Sequence, residues 1–181
     1  VSPRADRQSL LVLIRRATPD DRSALRDVHN AAFASDAATQ SVEATLVDQL
    51  GAAGDSIPAL SLVAEIDGAV VGHVLGSRAH LDGRPSLALG PLGVLPIHQR
   101  HGIGSALMHA VLAAADALGF PEAVLLGDPA YYCRFGFRPA PPLGVRPPVE
   151  EWAEHFQIRT LTSWTPDRQG TFRYAPAFDD I

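Results

Sequence analysis

Leu89-Gly90-Pro91-Leu92-Gly93-Val94-Leu95-Pro96, with Gln99-Arg100-His101-Gly102-Ile103-Gly104 just after it, is the stretch on which the fold turns. The first run is apolar enough for a buried strand, yet Gly90, Pro91 and Gly93 interrupt it. Proline cannot donate to a sheet ladder, and glycine inside a strand marks a bulge or a close backbone approach. The second run precedes the clearest helix of the chain, Ile103 to Leu118. There Ile103, Leu107, Val111, Ala114 and Leu118 recur three or four apart, and Gly119 suits the position just past the end. Gly102 and Gly104 allow a tight turn with no Cβ in the way, and the helix start offers free N–H groups at the positive end of its dipole. This is an anion site with Arg100 at its edge, and the backbone of Gln99 to Ser105 is its expected cradle. Plain turn chemistry would use the same glycines.

Working outward, Leu10 to Arg16 reads as a strand. Thr18-Pro19-Asp20-Asp21 starts a helix that runs to about Phe33. A second helix, Ser41 to Leu50, carries Leu46, Val47 and Leu50 on one face and stops at Gly51. Leu60 to Ile66, Asp67-Gly68 and Ala69 to Leu75 spell a hairpin, and Asp82-Gly83 leads into Ser86 to Leu95. After the long helix, Ala123 to Leu126 is a short buried strand, and Asp128-Pro129 opens a short helix ending near Phe135-Gly136. Pro139 to Pro148 is irregular, and Phe156 to Thr162 and Thr171 to Tyr174 are two late strands. The order predicts an α+β fold, not a doubly wound sheet. Residues 1–9 read as a flexible arm and 10–181 as one domain, with 138–181 its variable C-terminal part.

The 181 residues are 46% hydrophobic and 19% charged, enough for a real core. A formal charge of −5 argues against nucleic acid, which calls for a basic stripe. All 15 basic residues are arginine, so the lysine of a P-loop or a Schiff-base enzyme is missing. A Rossmann fingerprint fails as well, because Leu107 stands where its third glycine belongs. The one cysteine, Cys133, forms no disulfide within the chain, and Leu10 to Ile14 is too short to span a bilayer. These features predict a cytoplasmic protein with no membrane partner.

Gln99-x-x-Gly102-x-Gly104 resembles the Gln/Arg-x-x-Gly-x-Gly/Ala signature of the GNAT acetyltransferases. Leu89 to Pro96 looks like their fourth strand, and Tyr131-Tyr132-Cys133-Arg134-Phe135-Gly136-Phe137 is similar to their tyrosine-x-x-x-Gly-Phe segment. The resemblance covers Leu10 to about Phe137. With the late Phe172-Arg173-Tyr174-x-Pro176-Ala177-Phe178, it extends to the branch of predicted acetyltransferases related to the bacterial YhbS proteins. It implies a mixed, mostly antiparallel sheet of about six to seven strands flanked by helices, with the fourth and fifth splayed apart. It also implies acetyl-CoA as co-substrate and an amine acceptor, a small molecule or a peptide or protein, and leaves a homodimer open. Leu92 and Val94 would offer their backbone to pantetheine, and Gln99, Arg100, His101, Gly102, Ile103, Gly104 and Ser105 would hold the pyrophosphate. A backbone N–H on the same strand would stabilise the oxyanion.

The resemblance makes Tyr132 the general acid, a phenol being a protonated donor at neutral pH. Tyr131 beside it reads as packing. The base is open: Ala88 stands where many members carry a glutamate, leaving His73, Glu65, Asp128 or a water relay. His98 and His101 lack partners for a metal site. Cys133 reads as a buried, inert thiol. Trp152 and Phe156 are spaced for one helical face, and Tyr174, Phe178 and the proline-rich stretch are expected to border the acceptor cleft. The reading is an N-acetyltransferase working by direct attack in a ternary complex. A CoA-binding sensor or interaction module without transferase activity is its rival.

Overall fold

The computed structural model describes residues 11–34 and 40–179; the expected N-terminal arm lies outside them. Among the described residues nine strands form one mixed sheet: β1 (Leu13–Arg16), β2 (Ser56–Ile66), β3 (Ala69–Leu81), β4 (Arg84–Val94), β5 (Glu122–Leu126), β6 (Arg138–Pro139), β7 (Val145–Arg146), β8 (Phe156–Thr160) and β9 (Gly170–Arg173). The spatial order is β1-β2-β3-β4-β5-β8-β6, with β9 on the far end of β3 and β7 beside β9. The helices are α1 (Arg22–Phe33), α2 (Val42–Ala53), α3 (Ile103–Ala117) and the short α4 (Pro129–Tyr132). β7 and the two-residue β6 fall in the proline-rich stretch expected to be irregular.

Local chemistry sets most boundaries. At Asp67-Gly68 φ is +50° and +81°, and at Asp82-Gly83 it is +49° and +77°. Two positive values in a row are what a tight hairpin turn needs to match strand twist. α2 begins where Ser41 Oγ accepts from the Ala44 amide at 3.0 Å. It does not stop at Gly51. A helix absorbs an interior glycine at a cost of about 1 kcal/mol, and the end comes at Gly54, whose φ of +78° closes the last turn.

The two faces of the sheet are fixed by paired neighbours. Gly72 pairs with Val94 and His73 with Gly93. A Cβ at Gly72 would lie 3.1 Å from Leu107 and 3.3 Å from Ile103, whereas one at Gly93 would lie 2.8 Å from His29. Thus α3 covers one face and α1 the other, and both sit close because side chains are missing at these points.

The β3–β4 register contains the feature that shapes the site. Val74 pairs with Leu92, but Gly76 pairs with Leu89, so two steps along β3 match three along β4. The extra residue lies at Gly90–Pro91, where Gly90 takes φ +137°. Side chains alternate along a strand, so one inserted residue exchanges the faces of everything beyond it. Leu87 and Leu89 before the bulge, and Leu92 and Val94 after it, all face the α3 core. Gly93 turns to α1.

β4 and β5 run parallel and pair only at Ala88 and Val124. The expected splay is present, and it begins before Leu92, at the bulge itself. At the closed end a buried cluster joins the strands. Glu122 on β5 accepts from Ser86 Oγ on β4 at 2.5 Å and from Arg168 Nε and Nη2 at 2.6 and 2.7 Å. Arg168 also donates to the Pro85 carbonyl at 2.8 Å. Beyond that point β5 continues its ladder with β8, from Glu122–Thr160 to Leu126–Phe156.

Glu122 is fully buried, so removing its partner strands a charge. Arg168→Ala is expected to cost about 3–5 kcal/mol, or roughly 6–20 °C in Tm for a chain of this size. Thermal unfolding followed by circular dichroism measures this. A Tm unchanged within error would mean that water reaches the carboxylate.

One late expectation needs correction. Trp152 ends a 3-10 turn (Glu150–Trp152) and Phe156 opens β8, so they share no helical face. The chain turns between them to enter pairing with β5, and Phe156 packs on Phe172 while Trp152 meets Tyr174.

Candidate active site

Two cavities flank the opening between β4 and β5. The first, about 400 Å³, is lined by Leu92, Val94, Gln99, Arg100, Gly104, Asp128, Tyr131 and Tyr132. The second, about 340 Å³, is lined by the bulge at Leu89–Pro91, by Leu126, by Val42, Glu43 and Leu46 of α2, and by Trp152, Tyr174 and Phe178. A third, about 270 Å³, between α1, α2 and β2, lies away from the opening.

The first cavity gathers residues that the sequence puts in one continuous stretch. α3 has no side-chain cap; Gly102 is its N-cap at φ +84°. The first i→i−4 bond runs from the Ala106 amide to the Gly102 carbonyl at 2.9 Å, so the amides of Ile103, Gly104 and Ser105 precede the ladder. At Gly102 a Cβ would meet nothing within 4 Å, and at Gly104 it would lie 2.9 Å from the Tyr131 hydroxyl. Arg100 stands at the rim with φ +61°. Gln99 uses its side chain inward: Nε2 donates to the Val94 carbonyl at 3.0 Å, tying the loop to the end of β4. His101 is exposed, and the Ile103 side chain is buried against the sheet, leaving only its amide toward the loop. The fit to an elongated anion-bearing ligand is good. β4 lacks a β5 partner beside Leu92 and Val94, and the helix start is open next to it.

Tyr132 follows Asp128, which caps α4 by accepting from the Ala130 amide at 2.9 Å. The Tyr132 ring lies on Gly127, where a Cβ would approach its Cε2 far inside contact distance, and meets Phe137 edge-on at 5.9 Å. Burial, helped by Tyr131, pushes the Tyr132 phenol up to about 12. Tyr131 is not merely packing. Its hydroxyl stands over Gly104, and the Arg134 guanidinium lies 4.7 Å from its ring centre. Its pKa is raised by burial, against the opposing pull of Arg134 and a hydrogen bond with Ser105.

The candidate bases separate clearly. His73 is buried in a chain with His29 (Nε2 to Nδ1, 2.8 Å) and Ser61 (3.0 Å). Burial first, then its histidine neighbour, lowers His73 to about 3, so it is neutral. Glu65 accepts from Arg15 Nε at 2.8 Å on the outer strands. Of the three, only Asp128 lines either flanking cavity, on the cofactor-like side. Ala88 is buried in the core. Cys133 is exposed, against expectation, because the short helix turns it outward. Among the described residues no group of three or more His, Cys, Asp or Glu is arranged to hold a metal, and no helix is long and apolar enough to cross a membrane.

One cavity-lining residue escaped the sequence reading. Glu43 lies three residues before Leu46 and four before Val47, on the inward face of α2. A carboxylate on that apolar stripe was the available signal.

The profile of the Acetyltransferase (GNAT) family matches residues 23–137. The chain belongs to the GNAT acetyltransferase family. It is 36% identical over 123 residues to an uncharacterized N-acetyltransferase, YjhQ, of Escherichia coli, a match spanning 66% of this chain and 65% of that protein. The structure of the GNAT family N-acetyltransferase YhbS from Escherichia coli in complex with CoA superposes with a TM-score of 0.87 at 28% identity, covering 97% of this chain and 96% of that one. A GNAT family acetyltransferase from Brucella melitensis in complex with acetyl-CoA gives 0.77 at 36% identity, covering 93% and 99%. The GNAT fold thus extends through the C-terminal part, beyond the residues that the family profile matches.

Proposed function

We propose that the chain is an acetyl-CoA-dependent N-acetyltransferase that moves the acetyl group to a primary amine by direct attack in a ternary complex. The observation that carries this is the opening of β4 from β5 beside the uncapped start of α3, with Tyr132 at its edge. In this reading the Leu92 backbone and the Val94 N–H bind the pantetheine amides, the Val94 carbonyl being held by Gln99, and one β4 N–H meets the carbonyl oxygen as it gains charge. The amides of Gly102 to Ser105, with Arg100, hold the pyrophosphate. The similar structures with CoA and acetyl-CoA support the choice of co-substrate. Tyr132 gives its proton to the departing sulfur. Its raised pKa keeps it a donor across the neutral range. The lone Cys133, exposed and without a second cysteine in the chain, suits a reducing cytoplasm.

The test is release of free thiol from acetyl-CoA against a panel of amines, with CoA binding followed separately by thermal shift. Turnover with at least one primary amine is expected. Tight CoA binding with no turnover on any amine would favour the sensor reading.

A further inference from the structure

The second cavity answers what the acceptor is, on the reading that the first holds acetyl-CoA. Its wall is apolar: Leu46, Leu89, Pro91 and Leu126 below, Trp152, Tyr174 and Phe178 above. The aromatic rings are mutually braced, Tyr174 against Phe178 at 4.6 Å and against Trp152 at 6.3 Å. Among the described residues that line it, Glu43 is the ionisable acid, and none of the ion pairs among those residues uses it. The Tyr174 hydroxyl is buried away from the cavity, so it is the ring that forms the wall. A volume of about 340 Å³ is at the small end for organic ligands.

We propose that the acceptor is a small primary amine with an apolar, preferably aromatic, body. Glu43 receives its ammonium, and the rings of Trp152, Tyr174 and Phe178 enclose the body. The chemistry balances. One ammonium proton passes to the Glu43 carboxylate and on to solvent, and the freed nitrogen lone pair forms the N–C bond. As the C–S bond breaks, sulfur takes the Tyr132 proton, and a second proton from nitrogen restores Tyr132. A charged polyamine or a peptide amino terminus would leave polar groups against this wall at a cost.

The experiment compares 2-phenylethylamine with spermidine and with an alanine-led tetrapeptide, by kcat/KM. Burying one ring is expected to favour phenylethylamine by roughly 10–100-fold. Trp152→Ala should erase most of that preference through KM, and Glu43→Gln should lower kcat/KM by roughly 10²–10⁴-fold. Spermidine or the tetrapeptide used as well as phenylethylamine would overturn the proposal and leave the transferase reading standing. If no amine is turned over, the transferase reading fails by itself. Titration calorimetry of phenylethylamine into the CoA complex then decides the site: saturable binding weakened by both substitutions supports it, and absence of binding overturns it.

Discussion

Tyr132→Phe is expected to bind CoA as the wild type does and to turn over roughly 10²–10⁴-fold more slowly, the usual range for a positioned acid. The hydroxyl acts as the thiolate leaves, so its loss falls on the transition state and scarcely on ground-state affinity. The ring itself is fixed by Gly127 and Phe137, contacts that phenylalanine keeps. With the phenol pushed up to about 12, the wild type should show no loss of kcat from Tyr132 ionisation below about pH 10. Tyr131→Phe should do the opposite, weakening CoA modestly through the Gly104–Ser105 end of the loop while sparing kcat. Steady-state turnover with the best amine, beside CoA titration calorimetry, measures both. Full activity in the Tyr132 variant, or a larger kcat loss at Tyr131, would move the acid elsewhere.

Gly104→Val should abolish tight CoA binding. Its side chain would project from the first turn of α3 into the cavity, against the Tyr131 hydroxyl and beside Leu92 and Val94. Two hydrogen bonds to a charged phosphate, worth about 1.5–3 kcal/mol each, would be denied, a loss of roughly 10²–10⁴-fold in affinity. Gly104 has no positive φ, so the helix tolerates the change and the apo protein should remain folded. Gly102→Ala is the informative contrast. A Cβ there meets nothing, but φ +84° strains it, so about 1–2 kcal/mol of stability is expected to go with far less effect on affinity. Thermal shift with and without CoA separates the two. Unchanged CoA affinity in Gly104→Val would refute the loop as the phosphate site.

The first cavity was legible because it is local. Strand, loop, helix start and Tyr132 follow one another from Leu89 to Phe137, and glycine, proline and apolar spacing each leave a mark. The second was not, because Glu43 and Leu46 meet Trp152, Tyr174 and Phe178 only after the sheet has brought distant segments together. Of the residues expected to border an acceptor cleft, Tyr174 and Phe178 line the second cavity and the proline-rich stretch does not. The bulge was visible as a proline between glycines, but its effect on parity, which puts Leu92 and Val94 on the α3 face, required the β3 register. At Phe156 two expectations competed, a strand start and a helical face shared with Trp152; β8 keeps the first, and its pairing with β5 excludes the second.

The two cavities draw on different parts of the chain. Every residue lining the first lies within 23–137, the part that the GNAT profile matches, whereas Trp152, Tyr174 and Phe178 of the second lie beyond it. The rest of the second cavity's lining, on α2, at the bulge and at Leu126, lies within the matched part. Substitutions at Trp152, Tyr174 or Phe178 therefore reshape one chamber of the molecule while leaving every wall of the other in place.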